Sequence, residues 1–451
     1  MRASRIVSLI AVGAISLPLL ASAASPVAAS PRSTPPIGRP LAKLAGSDTV
    51  IDDEFGGSVA ISGTTAVVGA PAHANHAGRA YVFTETATGW KQSAELNGSD
   101  TVRGDNFGTA VTISGTTIVV GAPNKALTVG AAYVFTKTGA GWKQTAELKG
   151  SDIANDFFGV SAAISGTTAL VGAFANADGD GAAYVFTKTA TSWKKAELQG
   201  SDTAGGSTFG GSVAISGTTV IVGAPNYNNA GRAYVFTKTG AGWMRAAELK
   251  SSDLAGYDSF GNAVAISGTT IAVGAAGHAN NAGRAYVFTK TGAGWKQTTE
   301  LAGSDSFAND DFGSSVAISG ATVVLGASGY SESDGRAYVF TKTPGGWKQT
   351  AELKGFDTAA SDYFGGSVAV SGTTAVVGAP GHAHAGATYV FTKTGAGWMQ
   401  VAELKGSDTG VGYIGPSVVK LGAQPSWELT SILARAARRC SRPEASSGTV
   451  E

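Results

Sequence analysis

Phe209-Gly210-Gly211-Ser212-Val213-Ala214-Ile215-Ser216-Gly217-Thr218-Thr219-Val220-Ile221-Val222-Gly223-Ala224-Pro225 decides the fold, together with Arg232-Ala233-Tyr234-Val235-Phe236-Thr237 and Gly242-Trp243 leading into Ala246-Ala247-Glu248-Leu249. Val, Ile, Tyr, Phe and Trp fill four short runs while Gly, Thr, Asn and Pro stand at the joints, as short strands with tight turns require. The same Phe-Gly pair recurs at Phe55, Phe107, Phe158, Phe209, Phe260, Phe312 and Phe364, spaced by 51 or 52 residues. The chain is therefore read as seven copies of one four-strand unit, and nothing inside a copy has helical spacing.

A single sheet of four strands cannot hide both faces, and radial stacking of such sheets removes the exposure. The predicted fold is all-β: a β-propeller of four-stranded antiparallel blades, seven of them. A β-solenoid is the rival, but its coils usually take about half as many residues. One Tyr and one Trp recur in each unit, for example Tyr234 and Trp243, and are expected to pack between blades rather than form a sugar-stacking stripe. The propeller is placed at 41–408. Leu41-Ala42-Lys43-Leu44-Ala45 matches the end of a unit, such as Ala402-Glu403-Leu404-Lys405, and is expected to complete the final blade and lock the ring. That leaves eight outer strands for seven sets of the other three. Beyond Asp408, Tyr413-Ile414-Gly415-Pro416-Ser417-Val418-Val419 reads as an eroded opening of an eighth unit, within a degenerate partial repeat and disordered tail at 409–451. A reading-frame shift in an eighth repeat, which would raise the blade count to eight, accounts for the abrupt change.

Residues 1–23 read as a secretory signal: Arg2 and Arg5, an apolar run from Ile6 to Leu20, then Ala21-Ser22-Ala23. Pro, Ser and Ala dominate 24–40, as in an extended linker. A secreted, extracellular or cell-surface location follows, without membrane insertion, because the apolar run is too short to span a bilayer comfortably. The formal charge is +1 with no basic run, which argues against nucleic acid as a partner. Cys440 is the single cysteine, so packing rather than disulfides must hold the fold.

Phe55-Gly56 at the head of a unit and Gly69-Ala70-Pro71 closing its second strand resemble the FG-GAP repeat of the integrin alpha-chain propeller and its bacterial secreted relatives. The likeness runs from Leu41 to about Val419, and Ala173-Phe174, Ala275-Ala276 and Ala327-Ser328 show that the Pro is dispensable. It implies an extracellular seven-bladed propeller of adhesion or ligand-binding type. Some FG-GAP repeats carry an acidic calcium loop between the first two strands. Here Ser62-Gly63-Thr64-Thr65 and its equivalents offer no carboxylate, so calcium-dependent folding is not implied. Asn176-Ala177-Asp178-Gly179-Asp180-Gly181 is the nearest substitute, with Asp178 and Asp180 as candidate cation ligands.

No nucleophile elbow, His-Glu-x-x-His or phosphate loop is present, and no enzyme activity or cofactor is expected. Asp100 with Asp105, Asp253 with Asp258, Asp305 with Asp310 and Asp357 with Asp362 could suggest glycoside hydrolysis, but a pair repeated in most units is read as turn capping. The loops after Gly-Ala-Pro and before Phe-Gly vary most and should share one face, where propellers usually bind. A non-catalytic scaffold for an extracellular protein or glycan is the expected function, with a secreted polysaccharide hydrolase or lyase, or a structural surface component, as alternatives. All five histidines lie on that face. His73 and His76 of unit one and His382 and His384 of unit seven are candidate ligands of a shared Zn²⁺ or Cu²⁺, set in small-residue loops expected to be flexible, solvated and without carboxylates to orient the rings.

Overall fold

A computed structural model describes residues 42–405, apart from 46, 47, 49, 152, 153, 201 and 204. The signal segment, the linker, the eroded eighth repeat and the reading-frame reading of the tail lie outside the described residues. Seven sheets form seven blades, six of four strands and one of five. After a short strand β1 (Ala42–Ala45), blade one consists of β2 (Ser58–Ser62), β3 (Thr65–Ala70), β4 (Arg79–Thr86) and β5 (Gly89–Leu96), each antiparallel to the next. β3 and its equivalents are apolar on both faces because each faces a neighbouring blade on either side, and Ala66, Val67, Val68 and Ala70 are fully buried.

The core consists of seven clusters, each lying between two consecutive blades. Val185 and Leu198 of blade three pack with Phe209, Val222, Tyr234 and Phe236 of blade four. Val390, Ala402 and Leu404 of blade seven pack in the same way with Phe55, Val68, Tyr81 and Phe83 of blade one. The Phe of each Phe-Gly is the plug. Phe55 lies 5.6 Å from the Tyr81 ring and meets Phe83 edge-on at 6.1 Å. Its backbone bridges the Gly before the third strand of the preceding blade, as Phe107 bridges Gly78, and Phe55 bridges Gly386 of blade seven. The ring is thus closed at seven blades by the contact that joins every other pair.

The two halves of the repeated motif meet at these seams. Gly108 N–H donates to Gly121 O within blade two at 2.9 Å. Gly69 of blade one lies so close to the Gly108 carbonyl that a Cβ there would collide with its oxygen. Two Gly backbones in contact across a seam let adjacent blades approach closely, which accounts for Gly in both motifs.

Two expectations are corrected. β1 does not supply the missing fourth strand of the last blade. Blade seven already owns four strands, and β1 adds a fifth, parallel to its outer strand Gly397–Lys405 with Leu44 opposite Leu404. Eight outer strands therefore coexist with seven blades. The Trp stripe is also less buried than expected. Trp90 is enclosed, whereas Trp142, Trp193, Trp243, Trp295, Trp347 and Trp398 are half-buried at the outer edge of the clusters. The fully enclosed aromatics are the seven Tyr of the third strands, the Phe of Phe-Gly and Phe83. Both edges of a central strand are covered by neighbouring strands, while an outer strand leaves one side to solvent.

Candidate functional site

The loops joining second to third strands and those joining one blade to the next lie together at one end of the ring, held by backbone hydrogen bonds between blades. Asn106 N–H donates to His76 O at 2.8 Å, Tyr363 N–H to Ser333 O at 2.8 Å, and across the closing seam Asp52 N–H donates to His384 O at 2.8 Å. The residue before each Phe-Gly is left-handed in all seven blades although none is Gly: Glu54, Asn106, Phe157, Thr208, Ser259, Asp311 and Tyr363, with φ between 53° and 56°. The loops after the second strands hold runs of such residues, Ala74, Asn75 and His76 in blade one and Ser331, Glu332 and Ser333 in blade six. A left-handed L-residue costs roughly 1–2 kcal/mol. The surrounding hydrogen bonds must hold these conformations, so the loops are ordered turns.

Below this surface runs a polar node repeated around the ring. The second Asp of each pair caps its own turn: Asp105 accepts from Val102 N–H at 2.9 Å and Asp362 from Ala359 N–H at 2.8 Å. The first Asp accepts from the buried third-strand Tyr, Asp48 from Tyr81 at 2.8 Å and Asp305 from Tyr338 at 2.8 Å. A third group comes from the loop after the second strand: His73, Lys125, Asn176, Tyr227, His278, Tyr330 or His382. Each can donate to a carboxylate. Lys125 Nζ reaches Asp100 at 2.8 Å, Tyr330 donates to Asp305 at 2.9 Å, and Asn176 donates to Asp156 at 3.0 Å. The electrostatics follow from these partners. The Lys125 hydrogen bond holds Asp100 below the usual carboxylate range, and the Asp53 hydrogen bond raises the imidazole pKa of His73. Burial pushes the Tyr184 hydroxyl up to about 12. Glu54 is raised to about 7, first by burial and then by the neighbouring Asp52.

The family model described as FG-GAP repeat matches residues 40–83, 90–135, 142–186, 193–236, 243–288, 295–340 and 347–391. The chain belongs to the FG-GAP repeat family. No curated protein matches its sequence. An FG-GAP propeller fits a ligand-binding or scaffold role. Among the described residues no helix is long and apolar enough to cross a membrane.

In this FG-GAP chain the Ser-Gly-Thr-Thr turn that stands in place of an acidic loop serves the ring itself. Ser62 Oγ accepts Gly115 N–H of the next blade at 3.1 Å, and Ser371 Oγ accepts Gly63 N–H across the closing seam at 3.2 Å. Of the acidic candidates, Asp180 is half-buried, while the side chain of Asp178 lies outside the described residues. Asn176 turns inward to the node of its own blade.

The histidine loops of blades one and seven do adjoin, but the His73 and His382 rings are buried rather than solvated, and the four imidazoles form no shared ligand group among the described residues. His73 and His382 are buried, and carboxylates do orient them: Asp53 lies 2.8 Å from His73 Nδ1 and Asp362 lies 2.7 Å from His382 Nδ1. His76 is exposed beside Asn106, and His384 is half-buried. Among the described residues, one group of three potential metal ligands forms, and it joins His382 to Asp357 and Glu403, with no histidine of blade one. The sequence reading missed this pairing, although a fixed offset of 20 residues separates Asp53 from His73, Asp258 from His278 and Asp362 from His382.

Proposed function

We propose that this FG-GAP protein is an exported, non-catalytic binding module that presents its loop end to an extracellular protein or glycan. The observation that carries the reading is where apolar surface is left open. Nine large hydrophobic side chains are exposed among the described residues, and six of them, Val50, Val102, Leu127, Tyr257, Phe307 and Phe356, stand in the loops of that one end. Exposed aromatic and aliphatic groups on a rigid rim are the usual anchors of a recognition surface. The scaffold beneath is constant from blade to blade while these loop residues vary, which separates folding from recognition. Export rests on the N-terminal Arg2 and Arg5, the apolar run to Leu20 and the Ala21-Ser22-Ala23 step. The non-catalytic reading is supported by the Asp pairs, which are engaged in turn capping and in holding Tyr.

The test is an array of extracellular matrix proteins and glycans probed with the labelled protein, then with Phe307→Ser and Tyr257→Ser. Binding that weakens at least tenfold in both variants, and is unchanged by Ala241→Ser in a turn at the opposite end, supports the reading. Binding indifferent to the loop substitutions, or turnover of an arrayed polysaccharide, contradicts it.

A further inference from the structure

We propose that the turn end of the ring, opposite the loops, is a binding surface for a linear anionic polysaccharide bearing carboxylate or sulfate groups. The surface is separate from the loop end, and the choice of a polysaccharide rests on export. The amino-acid sequence spreads its positive charge thinly, with a formal charge of +1 and no basic run. The fold collects it. At the turn between third and fourth strands six blades read Thr-Lys-Thr, which sets Lys137, Lys188, Lys238, Lys290, Lys342 and Lys393 once per blade around that end, all exposed. Blade one has Glu85 there. The second Thr closes the hairpin, as Thr138 Oγ donates to Gly141 O at 2.8 Å, and this fixes where the charge is displayed. Another exposed Lys follows the outer-strand Trp in blades one, two, three, five and six, while Met244 and Met399 take that place in blades four and seven. Lys137 stands opposite Trp142 and Lys143 opposite Thr136, so the two lysines of a blade lie on opposite faces of its tip. The cations therefore line the rim on both sides of a blade.

Little at this end neutralises them. Among the described residues the lysines that hold ion pairs are Lys125 and Lys149, both in the loops of the other end. The outer-strand carboxylates sit at the far end of the same strands, where Arg79, Arg232, Arg284 and Arg336 meet Glu95, Glu248, Glu300 and Glu352. The turns between first and second strands, at the same end as the lysines, carry no charged residue. Like charges gathered on one rim raise its potential together, and an anionic polymer that binds there releases its counterions. A lysine on an outer strand also guards a sheet edge, but the Thr-Lys-Thr lysines belong to third strands, which are not edges. The exposed large apolar groups outside the loops are Met244, Met399 and Val401, on two blades only, too few to hold a bilayer. None is an aromatic that could stack a base, and outside a cell the common linear polyanions are polysaccharides.

The test is titration of the full chain with heparin, a sulfated polymer, and with polygalacturonate, which bears carboxylates alone, at about 50 and about 200 mM salt. Saturable binding to at least one is expected, weaker at the higher salt. Lys290→Gln with Lys342→Gln and Lys393→Gln should lower affinity about tenfold or more and flatten the salt dependence. Lys149→Gln with Lys250→Gln and Lys354→Gln removes the same charge from the loop end and should leave affinity within about twofold. Phe307→Ser should leave it unchanged, which separates this surface from the loop end. Acetylation of wild-type amines, read by mass spectrometry, locates the polymer without a variant: the turn lysines become protected while Lys149, Lys250 and Lys354 stay reactive. No saturable binding to either polymer overturns the proposal, as does an equal loss in the two triple variants. Tighter binding to a single-stranded oligonucleotide or to phosphatidylserine vesicles overturns it too.

Discussion

Glu54 shows how much a single position on the loop end can matter. It is left-handed at φ 56°, stands directly before the Phe55 plug, and its carboxyl is raised from 4.5 to about 7 by burial and by Asp52. A carboxyl with a raised folded-state pKa stabilises fully below its unfolded value and loses that contribution as pH rises through the folded one. Wild type should therefore lose about 2–3 kcal/mol relative to Glu54→Gln between pH 4.5 and about 7. Thermal melts should give equal midpoints at pH 3.5, below both values, and a midpoint roughly 3 °C higher for the variant at pH 8. A gap that does not change with pH would show that Glu54 is already ionised in the fold. Burial also ranks the aromatics. Phe209→Ala empties an enclosed plug and should cost about 3–5 kcal/mol, whereas Trp243→Ala, half-buried, should cost about 1–2. Denaturant unfolding of the two variants checks the order, and equal losses would contradict it.

The strands were legible because four short β-branched and aromatic runs set between turn residues, copied seven times around the Phe-Gly joint, leave little freedom. The Tyr to Asp bonds were harder to see: Asp48 and Tyr81 are 33 residues apart and belong to different parts of the repeat, and so are Asp100 and Tyr133. Only the folded blade brings an inter-blade loop over the end of a third strand. The regular offset was nevertheless present in the sequence, as was the offset that sets His382 on Asp362. β1 was legible as a strand but not in its pairing. Its residues copy an outer strand that runs antiparallel to its own blade, and nothing in them specifies a parallel partner. Because β1 pairs only with residues 402–405 of the outer strand Gly397–Lys405, replacing residues 42–45 by a Gly-Ser stretch should lower amide protection at the positions of 402–405 that face β1 and leave blades two to six unchanged. Hydrogen exchange resolved by segment measures this, and protection lost all round the ring would mean that β1 is the lock.

At the scale of the molecule, each blade buries its faces only against its neighbours, so stability is shared among seven similar seams and depends on the last being as good as the rest. The closing seam repeats the Phe bridge, the aromatic plug and the Ser to Gly hydrogen bond of the others. Closure at seven is therefore the central claim, and a paired-cysteine cross-linking trap in a Cys440→Ser background tests it most directly. Gly63→Cys with Ser371→Cys spans the seam between blades seven and one, and Gly115→Cys with Ser62→Cys spans the equivalent seam between blades one and two. A short bifunctional thiol reagent should cross-link both pairs within one chain to the same extent. Cross-linking of the second pair without the first would mean that the ring is open or contains a further blade.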